Sequence, residues 1–143
     1  MTTPGDTLAT LLQQAIATAN KSIPLRDPIL PFVITVADDG SGHMHTGSPD
    51  ENEAVIVEAL YNNLKEEAEA GSVLAFALVL EVSVTNQETG DAQDAIRINM
   101  EHAEHPDGES CAIPFARSAD TVQWGRVARL PPEPRVWTQA SES

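Results

Sequence analysis

Apolar positions along the chain change period several times, and each change marks an element. Leu8, Leu11, Leu12, Ala15, Ile16 and Ala19 recur at steps of three and four, which predicts an amphipathic helix over residues 4–20. Thr3 with Asp6 three places on, and Pro4 at the first helical position, mark its start. "KSIPLRDPILP" (21–31) then carries three prolines in eleven residues and is predicted to be a connector. From residue 32 the period drops to two. Phe32, Ile34 and Val36 share one face and Val33 and Thr35 the other, "DDGSG" permits a reversal, and His43, Met44 and His45 form a short return strand with Met44 turned inward.

The helical period returns over 49–70, with Ile56, Leu60, Leu64 and Ala68 at i+4 spacing. Ser48 as N-cap, Pro49 at the first position and Glu51 at the third form a predicted capping box, and Gly71 suits the far end. Residues 73–85 turn to β. "VLAFALVL" is apolar on both faces, so that end of the strand is expected to be covered on both sides. Leu80, Val82 and Val84 then alternate with Glu81, Ser83 and Thr85. After the polar loop "NQETGDAQD", Ile96, Ile98 and Met100 point inward and Arg97, Asn99 and Glu101 outward. "HPDG" (105–108) has the chemistry of a type I turn with Gly108 left-handed. Beyond it Cys111, Ile113 and Phe115 share a side, Pro114 requires an edge or bulge, and "TVQWGRVARL" adds a last strand. "TQASES" (138–143) is expected to fray.

The order α-β-β-α-β-β-β(-β) predicts one α+β domain over 1–143, an antiparallel sheet of about five to six strands with two helices on one face. At 143 residues the chain is long enough to bury about 70% of its unfolded surface. It resembles in order the roadblock and longin-like scaffolds, which run α-β-β-α-β-β-β-α, except that the final element here is a strand.

Charge narrows the function. The net charge is −14; residues 1–96 hold 15 acids against 3 bases, a net of −12, and residues 97–143 hold 7 acids against 5 arginines, a net of −2. Nucleic acid and anionic membranes are disfavoured partners, whereas a basic protein or a cation would be attracted. The longest apolar run is eight residues, far short of the roughly twenty a bilayer span requires. "MTTPGDTLAT" has neither a positive n-region nor an apolar h-region. With a single cysteine, no internal disulfide can form. These features predict a cytoplasmic location.

Candidate chemistry is sparse. His43 and His45, two apart on a strand, share a face and are the candidate metal ligands, but no third ligand stands at a fixed spacing; Asp38, Asp39 and Asp50 are loop acids nearby. Two solvated histidines around an inward Met44 is the simpler reading. His102 and His105 have opposite strand parity, which argues against a shared zinc, so the stretch "MEHAEHPDGESCAIPF" is expected to be a hairpin. Glu104 and Glu109 would flank its turn as repelling surface acids. Cys111 has the inward parity of a buried, inert thiol. No G-x-S-x-G, P-loop or G-x-G-x-x-G sequence anchors a reaction, and no cofactor is implied. Of Trp124 and Trp137, one is expected in the core, while Arg126, Arg129 and Arg135 facing an acidic helix of a second copy would make a homodimer.

"LPFVITVADDG", "DAIRINMEHAEHPDGESCAIPF", "VQWGRV" and "EPRVW" resemble segments of a family of small acidic bacterial proteins with no assigned function. The likeness covers roughly residues 30–137, implies a bacterial cytoplasmic origin, and supplies no catalytic residues. Three functions are therefore expected in order. The first is a non-enzymatic acidic protein-interaction module, immunity-type in one concrete form, masking a basic toxin. The second is a metal-dependent hydrolase using His43 and His45, and the third a roadblock-like dimeric scaffold.

Overall fold

A computed structural model describes residues 3–24, 29–37, 39–47, 50–86, 88–117, 121–132 and 135–137. Their order is α1 (Pro4–Ser22), β1 (Phe32–Val36), β2 (Gly42–Thr46), α2 (Glu53–Glu69), β3 (Ala75–Thr85), β4 (Ala92–His102), β5 (His105–Arg117), β6 (Val122–Trp124) and β7 (Ala128–Leu130). The fold is α+β, with every described strand pair antiparallel in the order β2-β1-β3-β4-β5-β6 and β7 also on β5. The seven-stranded sheet thus exceeds the expected five to six, because 121–130 splits into two short strands that share β5. The elements after β5 are two short strands and no third helix follows among the described residues.

The helices do not share a face. α1 packs Leu8, Leu11, Ala15 and Ala19 on Ile34, Ala77, Val79, Ile96, Ile98, Met100, Cys111, Ile113 and Phe115. α2 packs Ile56, Leu60, Tyr61 and Leu64 on Val33, Phe76 and Leu78, which alternate with that first set and so belong to the opposite face. The one-face expectation failed because β1 and the first half of β3 are apolar on both sides. Each therefore needs a cover on each side: residues 75–79 of β3 are all buried, and exposure begins at Leu80.

Local signals account for the helix ends. The Thr3 hydroxyl accepts from the Asp6 N–H at 3.1 Å while the Asp6 carboxylate accepts from the Thr3 N–H at 3.4 Å, the expected capping box. α2 begins later than predicted. Asn52 is its N-cap, the side chain accepting from the Val55 N–H at 2.9 Å. Asparagine caps as well as serine does, and the nearer cap defines the first turn; Ser48 and Pro49 lie outside the described residues. At the other end Gly71 takes φ +75°. The Gly71 N–H donates to the Ala68 carbonyl at 3.0 Å and the Ser72 N–H to the Glu67 carbonyl at 2.9 Å, a Schellman closure.

The β4–β5 hairpin also turns elsewhere than "HPDG". His102 pairs directly with His105, so Ala103 and Glu104 form the turn. The register shift between Met100 and His102 leaves residues 106–108 opposite Glu101, where Gly108 adopts φ +69°. The proline and glycine serve a bulge, which equally needs a missing ladder bond and a left-handed residue. Pro114 meets its requirement differently. It pairs with Ala95 on one side, and on the other falls between the β7 partners 110–112 and the β6 partners 115–117.

Among the described residues no helix is long and apolar enough to cross a membrane.

Candidate functional site

The two faces of the sheet differ in how much is covered, and the difference defines the site. On the α2 face, successive cross-strand rows are Phe76–Glu101, Leu78–Asn99–Ser110–Leu130, Leu80–Arg97–Ala112–Ala128, Val82–Ala95–Pro114 and Val84–Gln93. α2 closes over Phe76 and Leu78, the β3 members of the first two rows. In the remaining rows Ala95 and Ala112 are buried while Val82, Val84, Gln93 and Pro114 stay partly exposed, and a groove of about 950 Å³ runs past them, lined by Val84, Gln93, Ala112, Pro114 and Leu130. Gly125 and Ala128 form one wall, Thr85 and Asn86 the other, with Glu88 and Arg126 at the rim. The wall at Gly125 is pinned: its N–H donates to the Pro114 carbonyl at 2.7 Å, and a Cβ there would lie 3.3 Å from that oxygen.

The covered half is locked by a residue that strand alternation assigns to solvent. Glu101 is only 2% exposed. Its carboxylate accepts from the main-chain N–H groups of Arg135 at 2.8 Å, Val136 at 2.9 Å and Trp137 at 3.0 Å. These three bonds satisfy the buried charge and hold the C-terminal segment down. Trp137 then stacks on Phe76 with centroids 5.9 Å apart, Tyr61 meets Phe76 edge-on at 6.2 Å, and the Arg135 guanidinium lies 4.1 Å over the Tyr61 ring. Arg135 also pairs with Glu58 of α2 at 3.2 Å, so the arginine–acidic helix contact expected between copies is made within one chain. Burial pushes the Tyr61 phenol above its ordinary value; Glu101 adds to the rise and a hydrogen bond with Asn99 opposes it. Sequence reasoning missed Glu101 because its partners lie 34 to 36 positions away.

On the α1 face, Glu81 plays a related part nearer solvent. It binds Arg117 at 2.8 Å and accepts from the Ile29 N–H at 3.1 Å, while Arg117 reaches Asp94 at 3.1 Å and lies 5.1 Å from the Phe115 ring centroid. Trp124 donates to Asn20 of α1 at 3.0 Å and stacks on Phe115. Both tryptophans are half-buried caps on the cores, one per face.

His43 and His45 fall opposite Thr35 and Val33 on the α2 face of β2. His45 Nε2 lies 3.9 Å from Glu67 of α2. Among the described residues no three His, Cys, Asp or Glu side chains converge as a metal-ligand group; Asp38 lies outside the described residues. Met44 is 49% exposed rather than inward, on an edge strand where it lines an open surface depression with Gln14 and Thr18 of α1. The backbones of His102 and His105 pair across the β4–β5 hairpin. His102 is buried, and its Nδ1 accepts from the Glu104 N–H at 2.9 Å. Glu109 faces Met100 and pairs with Arg129 at 3.5 Å, apart from Glu104. Cys111 is buried, and desolvation raises its thiol above the ordinary value.

The open groove presents aliphatic floor, side-chain amides and one charge of each sign. The class defined by fold and site is an antiparallel α+β domain with one sealed and one half-open sheet face. No family model, curated protein or solved structure matches the chain.

Proposed function

We propose that the chain is a non-enzymatic, acidic protein-interaction module of the cytoplasm, and that its partner docks on the open half of the α2 face. The observation that carries this reading is the groove along Val84, Pro114 and Leu130, apolar residues left partly exposed on one side of the sheet. Charge supports a basic partner. Glu53, Glu58, Glu66 and Glu69 are exposed on α2, in a chain of net charge −14. An immunity-type protein that masks a basic toxin is one form such a module takes.

A photocrosslinking residue at Val84, compared with one at exposed Thr10 on α1, tests the reading in cell extract. The expected result is a protein adduct from Val84 and none from Thr10, weakening as salt rises from about 0.05 to 0.5 M through the range where screening shortens to a few ångströms. Equal capture at both positions, or capture indifferent to salt, would count against it.

A further inference from the structure

β2 is one edge of the sheet, and its hydrogen-bond phase is set by its neighbours. The Ala37 N–H donates to the Ser41 carbonyl at 2.9 Å and the Gly47 N–H to the Pro31 carbonyl at 3.4 Å. Those bonds mark 37/41 and 31/47 as hydrogen-bonded pairs. By alternation Thr35/His43 and Val33/His45 belong to the same class. His43 and His45 therefore direct their main-chain groups toward β1, whereas Gly42, Met44 and Thr46 direct theirs to the open edge. Both imidazoles stand on the α2 face, and all of β2 is exposed except half-buried His45.

A second copy of β2 fits this edge in one symmetric register that uses the whole strand. With a two-fold axis at Met44, Met44 pairs with Met44 of the second copy and Gly42 with Thr46, all at hydrogen-bonded positions. His43 then lies opposite His45 of the second copy at a non-hydrogen-bonded position, the closer class, with Cα atoms about 4.5 Å apart. Two imidazoles along each strand and two across the seam form a square on one face of the joined sheet. A His-x-His pair with a third imidazole from the adjacent strand can converge on one ion at about 2.0–2.1 Å per bond. One chain supplies two such ligands, and a second copy supplies the rest.

We propose that His43 and His45 are half of a zinc-class cation site completed by the same two residues of a second copy paired through β2. Glu67, 3.9 Å from His45, is placed to orient that ring from outside the ligand set. Electrostatics make the two events depend on each other. Two chains of net charge −14 repel, and a divalent ion at the seam offsets that repulsion. The site does not use the groove and stands independently of the function proposed above.

Native mass spectrometry and sedimentation velocity of the full chain test this, first in chelator and then with one zinc ion per two chains. The expected result is a monomer in chelator and, with zinc, a dimer holding one ion. His43→Ala and His45→Ala, at solvent-accessible positions, should each weaken zinc-driven dimerisation by more than the roughly 10–100-fold that loss of an outer-shell partner costs. Met44→Pro keeps both imidazoles but removes an outward N–H at the strand centre, and should leave the chain monomeric with zinc present. The proposal is overturned if zinc binds one per chain without a change in mass, if it does not bind, if the dimer is as strong in chelator or in His43→Ala, or if Met44→Pro dimerises as the parent does.

Discussion

The two faces of the sheet are built from the same strands and end in different states. On the α1 side, helix, sheet and Trp124 bury Ile96, Ile98, Cys111, Ile113 and Phe115 across β4 and β5. On the α2 side, the helix and the Arg135–Trp137 segment cluster with Val33, Phe76 and Leu78, while Val82, Val84, Gln93 and Pro114 stay partly exposed. The difference lies in reach. α1 runs across β1, β3 and β4, while α2 packs on Val33 of β1 and on Phe76 and Leu78 of β3. A half-covered face beside a firmly locked half has a rigid floor, since it is held by the sealed core beneath it.

The largest effects are expected where each face is closed. Phe76→Ala, at the centre of the α2-side cluster, should cost about 3–5 kcal/mol, and Ile98→Ala on the α1 side about 2–5 kcal/mol, by urea unfolding. Loss of cooperativity confined to one variant would mean the two faces do not share one core. Glu101→Ala should cost about 2–3 kcal/mol, because three main-chain N–H groups lose their acceptor. Limited proteolysis should then cut near Trp137 while the β3–β5 sheet stays intact. Resistance equal to the parent's would show that Glu101 does not hold the segment.

Stability should fall at alkaline pH through both faces, first as pH passes the ordinary 9.0 of Cys111 on the α1 side and then as it passes the ordinary 10.0 of Tyr61 on the α2 side. Tyr61 is neutral in the fold with its pKa raised above the ordinary 10.0 by burial. Its contribution is present below that value and is lost as pH rises past 10 through the raised pKa. Phenolate absorbance followed alongside urea melts should show Tyr61 ionising with unfolding, not before it. On the α1 side Cys111, raised by desolvation, should react with a thiol reagent at pH 8 only after denaturant is added. The smallest stability effect is expected in the groove. Val84→Ser, on a half-exposed floor residue, should change unfolding by no more than about 0.5 kcal/mol. A loss comparable with Ile98→Ala would mean the groove floor is core.

Much of this contrast was legible in the residues. The helical period from Leu8 to Ala19, the capping box at Thr3 and the two-sided apolar run at 73–80 predict α1, its start and the doubly covered end of β3. Coverage was not legible. Alternation states which residues share a face, but not which face a helix returns to, so two helices were expected on one side. Polarity also misplaced Glu101, since a carboxylate reads as solvent-facing unless its distant main-chain donors are known. The "PDG" stretch was ambiguous for a further reason: its backbone chemistry fits a turn and a bulge alike, and the cross-strand register decides between them. The groove left no motif, because an uncovered surface is a property of where α2 stops.

Radical footprinting of the chain, free and bound to the partner crosslinked through Val84, tests the central claim most directly. Protection of Val84, Pro114 and Leu130, with the outer surface of α1 unchanged, is the predicted result. Protection of α1 with the groove still labelled as in the free chain would contradict it.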